Sequence, residues 1–142
     1  NHILKRTVAP AEIDDDTARL AHHATLRLME AMEVVGLLAV EMFVTPEGGI
    51  LMNEVAPRPH NSGHWSQDGA ETDQFEQLVR AVCGLPLGST RVRTPTVMEN
   101  LLGDEVNAWP SLLAAPGAKL HLYGKSSIKP GRKMGHVNRL KG

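Results

Sequence analysis

The sequence predicts an α+β fold in which helices pack on an antiparallel sheet and a small antiparallel β unit follows. Three observations support this class. Two apolar, strand-like runs are joined by a tight turn, two other segments carry apolar residues at helical spacing, and the last third of the chain alternates short strands with Gly and Pro turns. A change of character near Gly88 predicts two units, residues 1–88 and residues 89–142.

Two helices are predicted in the first unit. The first runs from about Thr17 to Glu33 with Asp16 as its N-cap, because small and apolar residues recur at helical spacing after an acidic run. The second runs from about Asp73 to Cys83 and ends before Gly84, since apolar residues fall at positions i, i+3, i+4 and i+7. Each helix therefore has an apolar face suited to packing on a sheet.

A predicted hairpin joins the runs LLAVEMFV and ILMNEVA through the turn PEGG. A regular ladder extended outward from this turn pairs Val44 with Leu51 and places Glu41 opposite Glu54. Two carboxylates that close repel each other unless a proton or a cation lies between them, and Mg²⁺ prefers such oxygen ligands. We expect a metal site here; the alternative is a strand edge where the carboxylates meet solvent or an arginine. In an ideal strand Asn53 points to the opposite face.

The loop after the second strand contains residues that bind anions. Arg58 offers a bidentate fork for phosphate or carboxylate, and the side chains of His60, Asn61 and Ser62 offer further hydrogen bonds. Flanking prolines stiffen the segment, and Gly63 allows a close approach of the backbone to a ligand. The loop is therefore a candidate catalytic or binding loop, and an ordinary surface loop is the alternative. The sequence leaves open whether His60 is an acid, a base or a hydrogen-bond donor.

Composition limits the classes of protein. The chain has 142 residues, of which 42% are hydrophobic and 22% charged, and no apolar run approaches the length of a membrane span. One cysteine excludes an internal disulfide and fits a reducing compartment, so we expect a cytoplasmic protein. The chain starts with neither an initiator Met nor a signal peptide, and we interpret it as a piece of a longer protein.

The net charge of −1 conceals a basic C-terminal segment. From Val106 onward there is no Asp or Glu, whereas Lys and Arg recur. Such a segment predicts an anionic partner, and Lys125 and the turn that carries Arg132 and Lys133 are candidate phosphate ligands. A solvated basic loop is the alternative. Nucleic acid is the weaker choice of partner, because aromatic residues are too scarce for a stacking platform.

These motifs together resemble a known family. The stretch EMFVTPEGGILMNEVAPRPHNSGHW, with TVAPA before it and ETDQFEQLVRAVCGLPLG, VMENLLG and YGK…KPGRKMGH after it, is similar to the ATP-grasp enzymes of purine biosynthesis. The similarity is greatest to the members that carboxylate 5-aminoimidazole ribonucleotide. A related branch, the formate-dependent glycinamide ribonucleotide transformylases, typically has Asp-Thr-Gly where this chain has Asn61-Ser62-Gly63.

The resemblance implies a reaction and a fold. ATP and bicarbonate would give carboxyphosphate and ADP, and the carboxyl group would pass to the amine of aminoimidazole ribonucleotide. The first unit would be the C-terminal half of an ATP-grasp domain, and the second a small C-terminal β domain. The implied cofactors are ATP and Mg²⁺ or Mn²⁺, and the implied assembly is a homodimer. The alternatives are the transformylase reaction and a nucleotide-binding module without chemistry.

The resemblance also implies roles for individual residues. Glu41 and Glu54 would bind the metal that bridges the ATP phosphates, and Asn53 would line the nucleotide site beside Glu54. The implied ligands of carboxyphosphate and the imidazole substrate are Arg58, His60, Asn61 and Ser62. Those of the ribonucleotide 5′-phosphate are Lys125 and Arg132. The adenine pocket and the phosphate-covering lid of the family have no counterpart in this sequence, so we expect the 142-residue chain alone to be catalytically silent.

Overall fold

A computed structural model describes residues 3–141, and its architecture is α+β. The strands are β1 (Arg6–Ala9), β2 (Ala39–Val44), β3 (Ile50–Ala56), β4 (Thr96–Leu102), β5 (Ala118–Leu122) and β6 (Lys133–Leu140). The helices are α1 (Asp15–Ala31), α2 (Ser66–Gly69), α3 (Gln74–Val82) and α4 (Trp109–Ala114), with 3₁₀ segments at Asn61–Gly63 and Gly103–Ala108. Among residues 3–141 no helix has both the length and the apolar character needed to span a bilayer.

The strands form two antiparallel sheets. One has four strands in the order β1-β4-β6-β5, and the other is the hairpin of β2 and β3. The predicted α+β class, with antiparallel sheets and helices, is confirmed. Only β2 with β3 and β5 with β6 are neighbours that follow each other in the chain, whereas β1 reaches β4, and β4 reaches β6, through long connections.

The four-stranded sheet takes strands from both predicted units. Strand β1 pairs with β4 from Arg6 opposite Glu99 to Ala9 opposite Thr96. A strand at the start of the chain therefore completes the sheet formed by the last third. The division at Gly88 stays a prediction about domains, and this strand pairing crosses it.

The core centres on β4 and β6, which lie in the middle of the larger sheet and pair with each other along their lengths. Met98 and Val137 are fully buried there. Polar side chains are buried beside them, including Asn100 and Asn138 at 0% exposure. Asn100 pairs with the amide of Asn61, and Nδ2 of Asn138 donates to the His64 carbonyl, so both tie the loop after the hairpin to the sheet.

Helix α1 begins and ends earlier than predicted. Its N-cap is Asp14 rather than Asp16, because the Asp14 carboxylate accepts hydrogen bonds of 2.8 Å from both the backbone N–H and the hydroxyl of Thr17. The helix ends at Ala31, and Glu33 then adopts a left-handed conformation with φ of 50°. Three successive aspartates offer three possible caps, and the position of Thr17 selects the first of them.

Helix α3 agrees with the prediction to within a residue at each end. Asp73 is its N-cap and accepts hydrogen bonds from the backbone N–H groups of Phe75 and Glu76. The first helical residue is Gln74, which is buried, although its position at a helix start is usually exposed. The helix thus directs a polar side chain into the protein.

Candidate functional site

A cleft of about 420 Å³ lies between the β2–β3 hairpin, the loop after it and the C-terminal sheet. Its lining combines acidic and basic side chains from distant parts of the chain. The lining residues are Ile3, Leu4, Glu41, Glu54, His60, Lys125, Gly131 and Lys133. The carboxylate pair, the loop and the basic segment that the sequence singled out therefore meet in one cavity.

The hairpin places Glu41 opposite Glu54, as the sequence predicts, but by a different register near the turn. Val44 pairs with Ile50 rather than with Leu51, and the ladder shifts by one residue between Met42 and Glu41. The shift is a β-bulge, in which one strand has an extra residue that the other does not match. The pairing of the two carboxylates was therefore right, and the regular ladder used to derive it was wrong.

Asn53 is the extra residue of this bulge. The bulge re-aims its side chain, so that its Nδ2 donates a hydrogen bond of 3.1 Å to Oε2 of Glu41. An ideal strand would have directed Asn53 to the opposite face. Asn53 instead lies with the carboxylates, where its amide holds one oxygen of Glu41 in place.

His60 stands between the two carboxylates. Its side chain is nearly buried, with Nδ1 3.7 Å from Oε1 of Glu41 and Nε2 3.6 Å from Oε1 of Glu54. The hydroxyl of Ser62 is 2.8 Å from Nδ1 and fixes the plane of the ring. An arginine nitrogen of Arg58 lies 4.0 Å from Glu54. The two contacts of His60 to the carboxylates are longer than hydrogen bonds.

The residues present fit a divalent cation that arrives with phosphate. Glu41 and Glu54 supply two carboxylates on the wall of an open cleft. Among residues 3–141 there is no group of three or more His, Cys, Asp or Glu side chains arranged as a complete metal site. Mg²⁺ commonly takes one or two carboxylates and completes its octahedron with water and substrate phosphates. The donor set suits that mode.

Asn61 is used for a structural contact. Its Nδ2 donates to Oδ1 of Asn100 at 2.9 Å, and Nδ2 of Asn100 donates back to its Oδ1 at 2.6 Å. Asn100 is fully buried on β4. The reciprocal amide pair therefore fastens the loop to the large sheet. A direct contact of Asn61 with substrate stays a prediction.

Asn61→Ala should lower the free energy of unfolding by about 1–3 kcal/mol, because it leaves the buried amide of Asn100 without one of its partners. Urea denaturation of the variant and of wild type measures this. Asn107→Ala is the matched control, since Asn107 is exposed on the 3₁₀ segment. Equal stability of the two variants would contradict the structural role.

Lys125 and Lys133 supply the basic wall of the cleft. The Lys125 ammonium donates to the backbone carbonyl of Lys133 and lies 5.5 Å above the ring of Tyr123. Burial lowers the pKa of the Lys133 ammonium below its ordinary value, while the carboxylates of Glu41 and Glu54 act against that shift. The two walls are therefore close enough to influence each other electrostatically.

The structure does not bring Arg132 into this cleft lining. Its guanidinium instead donates to the carbonyl and hydroxyl oxygens of Ser127, at 3.1 and 2.9 Å. The sequence predicts the turn with Arg132 and Lys133 as a candidate phosphate site, and the family resemblance implies Arg132 rather than Lys133 as the ligand. Successive residues at the start of a strand point to opposite faces, so only one of this basic pair can face the cleft. Lys133 is the one that does, and a role for Arg132 at the phosphate stays a prediction.

Comparison with known proteins agrees with this geometry. Residues 1–75 match the ATP-grasp domain model. The chain belongs to the ATP-grasp family. Residues 96–141 match a second model, described as the phosphoribosylaminoimidazole carboxylase C-terminal domain. The family resemblance inferred from the motifs is thus confirmed on both sides of the cleft.

Several relatives of this ATP-grasp chain are N5-carboxyaminoimidazole ribonucleotide synthases. The one from Bacillus subtilis is 51% identical over 99% of this chain and 37% of its own length. A crystal structure of such an enzyme with ADP has a TM-score of 0.95 at 48% identity, and covers 99% of this chain and 38% of that one. The Aspergillus clavatus enzyme with ADP and 5-aminoimidazole ribonucleotide has a TM-score of 0.93 at 34% identity, covering 99% and 40%. The chain thus spans about two-fifths of these relatives.

Proposed function

We propose that this chain is the C-terminal portion of an enzyme that carboxylates 5-aminoimidazole ribonucleotide with ATP and bicarbonate. The observation that carries the proposal is the cleft, in which an opposed carboxylate pair faces two lysines across a cavity large enough for a small anion and part of a nucleotide. The similarity to N5-carboxyaminoimidazole ribonucleotide synthases names the substrate class. We also propose that the intact protein is a homodimer, as the resemblance of its motifs implies, and that it is cytoplasmic, which a single cysteine fits.

The acidic wall would hold the phosphate end of ATP. Glu41 and Glu54 would bind Mg²⁺ or Mn²⁺, with Asn53 orienting Glu41. When bound, such an ion neutralises phosphate charge and fixes the phosphates for transfer. A bicarbonate oxygen would then attack the γ-phosphorus, the bond to the β–γ bridging oxygen would break, and ADP would leave.

The loop would hold the carboxyphosphate formed in this step. Arg58 is outside the cleft lining and its guanidinium donates to the Pro59 carbonyl at 3.0 Å, but its side chain is 61% exposed and would turn towards a dianion in the cleft. His60 already lies beside both carboxylates and presents an imidazole to the same space. Ser62 and Asn61 hold the ring and the loop in place, and both belong to the proposed binding loop.

The basic wall would hold the ribonucleotide. Lys125 and Lys133 face the cleft, and either ammonium suits the 5′-phosphate or the developing charge of the transferred carboxylate. The substrate amine would attack the carboxyl carbon and lose a proton, and phosphate would leave. We keep Arg132 as a further candidate ligand of the 5′-phosphate, reached by release from Ser127.

Transfer of label tests this function. The intact protein, given ATP, ¹³C-bicarbonate and 5-aminoimidazole ribonucleotide, should form ADP and phosphate together with a ¹³C-labelled N-carboxylate seen by NMR. Omitting bicarbonate or replacing it with formate should stop product formation. A formyl-transfer product with glycinamide ribonucleotide and formate would favour the transformylase reaction. Nucleotide binding without turnover in every mixture would favour a module without chemistry.

The 142-residue chain alone should produce no ADP above background in the same mixture. It spans 37% of the Bacillus subtilis relative, so most of the length of such an enzyme lies outside this chain. Adding the remaining portion of such a relative as a separate polypeptide is the matched comparison. Turnover by the isolated chain would overturn this prediction.

A further inference from the structure

The side chain of Gln74 clamps the backbone of His60. Its Oε1 accepts a hydrogen bond of 2.9 Å from the His60 N–H, and its Nε2 donates one of 3.0 Å to the His60 carbonyl. Nε2 also lies 2.7 Å from Nδ1 of His64. A single buried amide at the start of α3 therefore satisfies both backbone groups of the residue that stands between the carboxylates.

Gly63 makes room for this clamp. A Cβ on Gly63 would lie 2.6 Å from Oε1 of Gln74, which is closer than such atoms approach. The backbone of Gly63 is in a 3₁₀ turn and tolerates alanine conformationally, so the contact with Gln74 is the constraint. The absence of a side chain at Gly63 therefore leaves the space that the Gln74 amide occupies.

We propose that Gln74 is a positioning residue for the cleft: its amide fixes the His60 backbone and so holds the imidazole between Glu41 and Glu54. The ring has few ways to move once its backbone and its Nδ1 are both held. Gln74 lines a separate pocket with Gly63 and Trp65 and lies outside the cleft lining, so its influence on chemistry passes through His60.

The same helix offers a matched control. One turn along α3, Gln77 clamps Gly88 in the same way, with Nε2 donating to its carbonyl at 2.7 Å and Oε1 accepting from its N–H at 2.9 Å. Neither Gln77 nor Gly88 lines the cleft. Gln77→Met therefore removes an equivalent clamp with an equivalent change in shape, but away from His60.

The test compares Gln74→Met, Gly63→Ala and Gln77→Met in the intact protein. Gln74→Met should speed hydrogen exchange of the His60 amide about tenfold or more and move the His60 ring resonances, while Gln77→Met should do neither. Gly63→Ala should reproduce the changes, because its methyl group displaces the same amide. The double variant Gln74→Met with Gly63→Ala should speed exchange of the His60 amide little more than either substitution alone, since both remove the same hydrogen bonds.

The kinetic part rests on the proposed function. In the carboxylation assay kcat should fall about tenfold to a hundredfold in Gln74→Met, with KM for the ribonucleotide nearly unchanged, because the residue touches no substrate. Unchanged exchange and ring resonances, or equal effects of Gln77→Met, would overturn the positioning role. Resonance changes in a protein that carboxylates nothing would sustain the clamp and reject the function instead. If Gln74→Met does not fold, the hydrogen exchange and ring resonances of His60 in Gly63→Ala test the positioning role instead.

Discussion

Glu54→Gln should lower the rate of carboxylation by the intact protein about a hundredfold or more. Glutamine keeps the size and one oxygen of the side chain but removes the negative charge that, with Glu41, would bind a divalent cation across the bulged hairpin. Because charge neutralisation at the phosphates is needed during transfer, the loss should appear mainly in kcat. Steady-state assays with Mg²⁺ measure it, and Mn²⁺ titration in the presence of ADP should show weakened metal binding.

Glu47→Gln is the control for this substitution. Glu47 is exposed in the turn of the same hairpin, so the change removes an equal charge at a position away from the cleft. The control should retain wild-type rates and Mn²⁺ binding. Undiminished Mn²⁺ binding by Glu54→Gln would remove the metal assignment, whatever happens to the rate.

The protein should lose stability as the pH falls from about 6.5 towards 4. His64 and His136 stack with their ring centroids 5.0 Å apart, and His121 stacks on His136 at 4.5 Å. Burial lowers the pKa of His64 to about 4 and that of His136 to about 3, and the neighbouring histidines add to both shifts. Asp68, which is hydrogen-bonded to His121, acts against the shift of His136.

The sign follows from proton binding. Below pH 6.5, the pKa of histidine in the unfolded chain, the unfolded chain binds protons that the folded His64 and His136 do not bind. The free energy of unfolding is therefore highest above pH 6.5 and decreases as the pH is lowered. Between pH 7 and pH 5 the free energy of unfolding should drop by about 1–2 kcal/mol per histidine. Urea titrations at several pH values measure this. His136→Gln should flatten the profile, and His23→Gln, on the exposed face of α1, should leave it as in wild type. A profile unchanged by His136→Gln would contradict the assignment.

The hairpin shows how far the sequence could lead. The charges of Glu41 and Glu54 within apolar strands, and their positions on either side of one turn, were enough to pair them. The bulge at Asn53 was not predictable, because nothing local distinguishes a bulged from a regular strand of this composition. The bulge depends on where the turn closes and on the hydrogen bond that Asn53 then makes with Glu41.

The rest of the site depends on contacts between distant residues. The sequence indicated the basic segment but not that Lys133, rather than Arg132, faces the acidic pair, since this follows from the position at which β6 begins. Gln74 carried no signal at all: a glutamine in the first turn of an amphipathic helix is ordinary. Only the folded loop, 14 residues earlier in the chain, gives its amide a function.

Strand β1 belongs to the segment that matches the ATP-grasp model, residues 1–75, but pairs with β4 of the segment that matches the C-terminal domain model, residues 96–141. The two segments are therefore not structurally separable. Strand β4 receives β1 along one edge and β6 along the other. A polypeptide limited to residues 96–141 would keep β4, β5 and β6 but present the backbone of β4 as an open edge, beside side chains such as Thr96 that are otherwise fully covered. Open edges of this kind pair with other chains and promote aggregation. Domain swaps between family members should therefore carry residues 3–9 together with the C-terminal sheet rather than divide the chain at a single point.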